Sequence, residues 1–202
     1  MFQGDSITDG GRNYEDLSDL GNGYARKLAE IISAILPDIS LTFYNRGVGG
    51  NRTQDMMLRW ENECLDLKPD VLFLLIGIND VLRNYDAGEQ NTDDAYRQQI
   101  LKAVILAKEN GVREMVFIQP FLMNFADEAA SMHKDLEGKT SALKEIADEH
   151  NILFVEMETF IQQLLKNQKS AIWTYDNIHP TSVGHMAIAL RLAEELGFIE
   201  KR

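Results

Sequence analysis

Short apolar runs alternate with stretches of helical period along this chain. Tyr24, Leu28, Ile31, Ile32, Ile35 and Leu36 recur at helical spacing and Pro37 follows, which predicts an amphipathic helix ending before the proline. Residues 41–44 read as a strand, and the glycine-rich stretch 45–51 as a loop. Residues 53–67 read as a helix. The unbroken apolar run 71–76 has the signature of a central parallel strand covered on both faces. A helix over 96–108 is closed by Asn110-Gly111. A strand over 115–118 stops at Pro120. A mostly helical stretch covers 129–150, a short strand 152–155, and helices 159–165 and 182–196. With a very short strand leading into Gly4, this makes five strands alternating with helices.

Such alternation predicts an α/β protein, a three-layer α/β/α sandwich around a five-stranded parallel sheet. Ligands on such sheets bind outside the carboxyl ends of the strands. No internal repeat, low-complexity segment or boundary divides the chain, so residues 1–202 are expected to form a single domain. The polar stretch 84–94 follows a strand and is read as a surface loop in preference to a lid.

Composition narrows the classes of function. The chain has 202 residues, 45% hydrophobic and 26% charged, which is ordinary for a globular protein. A net charge of -12 argues against nucleic acid or an anionic membrane surface as the main partner. No apolar run approaches the roughly 18–20 residues of a membrane span. The single cysteine, Cys64, excludes an intrachain disulfide and a cysteine metal cluster, and fits a reducing, cytoplasmic setting. It is expected to be buried and inert. Only three residues precede Gly4, which is compatible with a chain shortened at its N-terminus. Homo-oligomers are left open.

Four blocks carry candidate chemistry, each just after a strand or just before the last helix. In Gly4-Asp5-Ser6 the serine can present its hydroxyl above the sheet, though these residues are equally common in turns. In Asn45-Arg46-Gly47-Val48-Gly49-Gly50-Asn51 the glycines let backbone amides approach a ligand; a plain flexible loop fits as well. A phosphate loop would need a Gly-Lys-Ser/Thr ending, which is absent. In Gly77-Ile78-Asn79-Asp80 the Asn79 amide is placed either to donate to a developing oxyanion or to cap a helix. In Asp176-Asn177-Ile178-His179-Pro180 the carboxylate can hold the His179 Nδ1 proton and leave Nε2 free as a base; the alternative is an exposed loop histidine. His133, His150 and His185 lack a carboxylate at that spacing and read as surface or packing residues. Arg12 and Arg83 either line the site or form surface ion pairs.

The ordered set resembles the SGNH hydrolases, also called the GDSL esterase/lipase family. Gly4-Asp5-Ser6, Asn45-x-Gly47-x-x-Gly50, Gly77-x-Asn79-Asp80 and Asp176-x-x-His179-Pro180 match its four blocks in order across nearly the whole chain. The residue after the serine is Ile7, where the family's name has leucine. The resemblance implies Ser6 as nucleophile, His179 as general base and Asp176 as its orienting carboxylate. It implies an oxyanion hole of the Ser6 and Gly50 amides with the Asn79 side chain. It also implies a flavodoxin-like five-stranded fold and a reaction without metal or cofactor. Asp9-Gly10-Gly11-Arg12, Gly21-Asn22-Gly23-Tyr24 and Arg59-Trp60 are similar to the bacterial branch of acetylxylan and other carbohydrate acetyl esterases. In that branch an aromatic residue, commonly tryptophan, precedes the catalytic aspartate; here it is Tyr175. Asp5 and Tyr175 are therefore expected at the substrate. The expected activity is hydrolysis of small acyl esters, acetyl esters of carbohydrates first among them, with a lysophospholipase, a thioesterase or a non-catalytic carbohydrate- or lipid-binding module as alternatives.

Overall fold

In the computed structural model, residues 1–86, 88, 91–126 and 129–200 are described. Four parallel strands lie in the order β1 (Phe2–Gly4), β2 (Val71–Leu75), β3 (Glu114–Ile118) and β4 (Leu153–Val155). Between β1 and β2 come α1 (Ser6–Asp9), α2 (Tyr24–Ile35), α3 (Thr53–Leu58) and α4 (Trp60–Glu63). Then α5 (Ile78–Asp86) and α6 (Asp93–Glu109) lead to β3, and α7 (Ala130–His150) leads to β4. Helices α8 (Glu158–Asn167) and α9 (Ser182–Glu195) complete the described elements.

The strand period of two builds two apolar layers. Phe73 and Leu75 of β2 face one side, where they join Phe2, Val116 and Val155 beneath α2, α8 and α9. Leu72 and Leu74 face the other, with Met115 and Phe117, beneath α3, α4, α6 and α7. Cys64 is buried in this second layer, as expected. The three-residue strand β1 is short but well anchored. The Phe2 ring stacks on Phe73 at 4.9 Å and meets the edge of Tyr24 at 5.9 Å.

Among the described residues the sheet has four strands, not the expected five. Residues 41–44 run beside β1 without becoming a strand. Phe2 N donates to Tyr44 O and Arg46 N to Phe2 O, both at 2.8 Å, and a lone parallel bridge joins Phe2 to Asn45. Leu41 and Thr42 lie exposed, and β1 is too short to pair with them. The chain still turns to opposite sides of β1, toward Asn45 on one and β2 on the other. That reversal opens a crevice at the carboxyl end of β1.

Three further differences from the sequence reading have physical causes. The expected helix over 53–67 is interrupted at Arg59, whose guanidinium is drawn to Gly4 O, Arg46 O and Asn51 Oδ1. Helix α5 was not anticipated because Asn79, Asp80, Arg83 and Asn84 dominate its sequence; Ile78 and Val81 nevertheless pin it to the core. The stretch 84–94 is shortened by α5 at one end and by α6, capped by Thr92, at the other. Residues 87, 89 and 90 of that stretch lie outside the described residues.

Two contacts lock the loops above the sheet. A Cβ on Gly47 would sit 2.3 Å from Asp9 N, so only glycine lets the loop lie against the Ser6 turn. Asp80 accepts from Thr53 N at 3.0 Å and Thr53 Oγ1 at 2.6 Å, tying the start of α3 to α5. Burial raises the Asp80 carboxyl to about 6, despite the lowering by the Thr53 donors.

Gly47→Ala is expected to destabilise the fold by roughly 1–3 kcal/mol in urea unfolding, because the added methyl meets backbone rather than a movable side chain. A pH prediction follows from Asp80. Its folded pKa lies above the unfolded value of 3.8, so the native state binds the extra proton and the group's contribution to stability is lost as pH rises through about 6. Relative to wild type, Asp80→Asn should therefore gain up to about 3 kcal/mol between pH 4 and 7, read from unfolding curves at each pH.

Candidate active site

Strand β1 ends at Gly4 and delivers Ser6 to the first position of the four-residue helix α1. Asp5 caps that turn, its Oδ1 accepting from Ile7 N at 3.0 Å. Ser6 Oγ lies 2.9 Å from His179 Nε2, across 173 positions of sequence. On the far side of the ring, His179 Nδ1 lies 2.7 Å from Asp176 Oδ2. A carboxylate only accepts, so Nδ1 carries the proton and Nε2 presents its lone pair to the Ser6 hydroxyl.

The loop that carries this pair is closed by its own backbone. Thr174 and Pro180 form an antiparallel bridge, and His179 O accepts from Tyr175 N and Thr174 Oγ1, each at 3.0 Å. Asn177 turns with φ of 70°, in the left-handed region that asparagine tolerates. Its carbonyl accepts from Met123 N at 2.7 Å, fastening the loop to the chain beyond β3. Thr181 caps α9 by accepting from Gly184 N. Partial burial draws the Asp176 carboxyl upward. The amides of His179 and Ile178 and the His179 ring outweigh this and hold it below the usual carboxylate range.

The glycine loop closes over the serine from the other side. A Cβ on Gly49 would lie 3.9 Å from Ser6 Cβ. Gly50 adopts φ of 77°, which glycine accepts without strain. Asp9 organises this approach: it accepts from Gly49 N and Arg12 N at 3.1 Å, from Gly11 N at 3.0 Å, and from the Tyr14 hydroxyl. From the end of β2, Asn79 Nδ2 donates to Asn51 O at 3.1 Å, placing the amide beside the same loop. A primary amide keeps a second N–H beyond that bond.

Ser6, Asp176 and His179 are thus one hydrogen-bonded line, with Gly50 on the glycine loop beside Ser6 and Asn79, at the start of α5, bonded to that loop. Tyr175 is 77% exposed at the mouth of the site. Asp5 departs from its expected place at the substrate. It is 1% exposed, spans the base of α1, and burial raises its carboxyl to about 7. The reason is positional: a residue between a strand end and a helix start points its side chain back to cap the helix. Arg12 is buried and donates to Gly47 O at 2.9 Å, so it braces the glycine loop instead of forming a surface ion pair. Arg83 is exposed near Gly50.

Sequence reasoning missed Arg59 and Asp9 as supports. Both stood inside quoted motifs, but only the folded chain shows Arg59 bonding Gly4 O, Arg46 O and Asn51 together. His133, which bonds Asn124 O, and His150, near Lys108 on the surface, behave as expected. His185 does not; it lines a cavity beside Ser6.

Residues 2–187 match the model of the GDSL-like Lipase/Acylhydrolase family. An acetylxylan esterase from Geobacillus stearothermophilus is 31% identical over 205 residues, covering 98% of this chain and 93% of that protein. Its crystal structure matches with a TM-score of 0.90 and 32% identity, over 100% of this chain and 94% of that one. Variants of it described as catalytic mutants carry alanine for a serine, an aspartate or a histidine, the last two standing three positions apart. Another solved variant has isoleucine for the tryptophan just before that aspartate. An alpha/beta hydrolase enzyme from the metagenome of Lake Arreo, Spain, matches with a TM-score of 0.90 at 27% identity, over 99% of this chain and 95% of that one. On the match over 2–187 and the full-length relative, this chain belongs to the GDSL-like lipase/acylhydrolase family and is a carboxylic ester hydrolase.

Proposed function

We propose that this protein removes small acyl groups, acetyl above all, from carbohydrate esters, with Ser6, His179 and Asp176 as its triad. The observation that carries this reading is the unbroken line from Ser6 Oγ to His179 at 2.9 Å and from His179 to Asp176 at 2.7 Å. The acetylxylan esterase supports it, because its catalytic mutants replace the same three residue types with the same aspartate–histidine spacing. Tyr175 holds the place of that enzyme's tryptophan before the aspartate and offers an exposed ring to a sugar.

In the first step His179 Nε2 takes the Ser6 proton while Oγ attacks the ester carbonyl. The tetrahedral oxyanion is held by the Ser6 and Gly50 amides and Asn79 Nδ2. His179 then returns its proton to the leaving alcohol oxygen, and the C–O bond breaks to leave an acyl-Ser6. Water, deprotonated by His179, attacks this ester and releases the acid. Asp176 stays ionised throughout and steadies the imidazolium.

The position of the apolar groove, away from Ser6, favours a short acyl group. The cavity at Ser6 is about 290 Å³. A larger and more apolar groove of about 630 Å³ lies at the opposite edge of the sheet, among Met1, Val71, Glu114 and Leu153 at the strand starts. That groove opens at the end of the sheet away from Ser6. Residues 1–202 acting as one domain in a cytoplasmic setting belong to the same proposal. Among the described residues, no helix is long and apolar enough to cross a membrane.

Hydrolysis of p-nitrophenyl esters from acetate to long chains is expected to be fastest with acetate. A preference for long chains would overturn the acetyl reading in favour of a lysophospholipase or thioesterase. Ser6→Ala should abolish turnover and labelling by a fluorophosphonate, and persistence of either would remove Ser6 from the nucleophile's role. Asn79→Ala should lower kcat by roughly 10²–10³ while KM changes little, as for loss of one oxyanion donor. Near-wild-type kcat would exclude Asn79 from the hole.

A further inference from the structure

The cavity beside Ser6 sits on one particular side of the nucleophile. His179, Tyr175, Ser182, His185 and Asn22 line it; Gly50 and Asn79 do not. In a tetrahedral intermediate the oxyanion points to the Gly50 and Asn79 side. The leaving alcohol oxygen must lie on the other, within reach of the His179 proton. The cavity therefore belongs to the alcohol half of the ester. Among the described residues, no carboxylate, lysine or arginine lines it, although the chain carries a net charge of -12. Its volume of about 290 Å³ lies near the lower end of ligand sites, roughly 300–1,000 Å³.

His185 has a fixed hydrogen-bonding state within this cavity. Its Nδ1 accepts from Tyr24 N at 3.1 Å, at the start of α2. That bond requires a lone pair on Nδ1, so the neutral ring carries its proton on Nε2. Burial, with Lys27 and His179 nearby, lowers the ring's pKa to about 4, so it stays neutral where an esterase works. Nε2 has no protein partner among the described residues, and it is not among the enclosed unpartnered atoms. It is a donor left over on a ring that lines the cavity.

We infer that this cavity is the leaving-alcohol subsite, and that His185 Nε2–H donates to a hydroxyl or ring oxygen of an uncharged sugar bound there. Asn22 and Ser182 supply further polar groups around the same alcohol, and the exposed Tyr175 ring covers its apolar face. The inference rests on the carbohydrate reading of the site. His185 is a binding residue; it moves no proton in the reaction.

The test compares a monoacetylated methyl xyloside with p-nitrophenyl acetate, whose leaving group has no sugar hydroxyls. In His185→Phe, the ratio of kcat/KM for the sugar ester to that for p-nitrophenyl acetate should fall about tenfold, mainly through KM, as for loss of one neutral hydrogen bond. His185→Gln keeps an acceptor for Tyr24 N and a donor for the cavity, and should recover most of that ratio. An unchanged ratio in His185→Phe, with both substrates equally affected or neither, overturns the role of His185. In parallel, histidine-labelled Ser6→Ala protein should show a shift of the His185 Nε2 nitrogen resonance on adding the sugar ester. Absence of a shift overturns the contact, whatever the fate of the Phe variant. Wild-type activity on p-nitrophenyl acetate but none on the sugar ester would instead overturn the carbohydrate reading itself.

Discussion

Asn45 is 1% exposed, and its side-chain amide reaches three carbonyls. Nδ2 approaches Thr8 O at 2.7 Å, Leu20 O at 2.8 Å and Asp9 O at 3.1 Å, while Oδ1 accepts from Gly47 N at 2.9 Å. The Ser6 turn leaves the end of β1, and the glycine loop runs on from the segment beside it, joined by only a few backbone bonds such as Arg46 N to Phe2 O at 2.8 Å and Val48 N to Gly4 O at 3.1 Å. The Asn45 side chain, with Asp9 and Arg59, adds to those bonds. In a buried setting each bond is strengthened by the low dielectric, and each broken one would leave a polar group without water. The relative placement of Ser6 and the glycine loop is thus held by backbone bonds and by side chain–backbone bonds together, which a shift of one residue in either loop would destroy.

The other half of the site is held differently. The Asp176 and His179 side chains are 52% and 45% exposed, so the hydrogen bond between them is screened by solvent and adds little to stability. What fixes His179 is covalent proximity and backbone closure: a three-residue spacing, a bridge from Thr174 to Pro180, and two amides on Asp176. This division fits the proposed reaction, in which the buried half would aim donors at a fixed point and the exposed half would carry the group that exchanges protons with an alcohol or water. The neighbouring His185 ring is kept neutral by burial.

Much of this was legible in the chain itself. The runs 71–76 and 115–118 read as buried strands because residues on both faces are apolar, and they are β2 and β3. Asp176 and His179 were legible as a pair because three positions suffice to bring them together. Elements decided by long-range contact were harder to read. Helix α5 is polar along most of its length, and only the core beneath Ile78 and Val81 explains it. Residues 41–44 have strand composition but no partner long enough to make them one.

By itself, then, the sequence determined the class of fold, the four blocks and the residue types of the reaction, since these follow from local periodicity and short spacings. Tertiary structure alone decided what lies beside Ser6, because the glycine loop and Asn79, which bonds it through Asn51 O, stand about 44 and 73 positions away along the chain. It also moved Asp5 from the substrate to a helix cap, since a capping geometry is invisible until the strand and the helix are both in place. And it turned His185 from a packing residue into the wall of a cavity, because its neighbours Ser6 and Asn22 come from the other end of the chain.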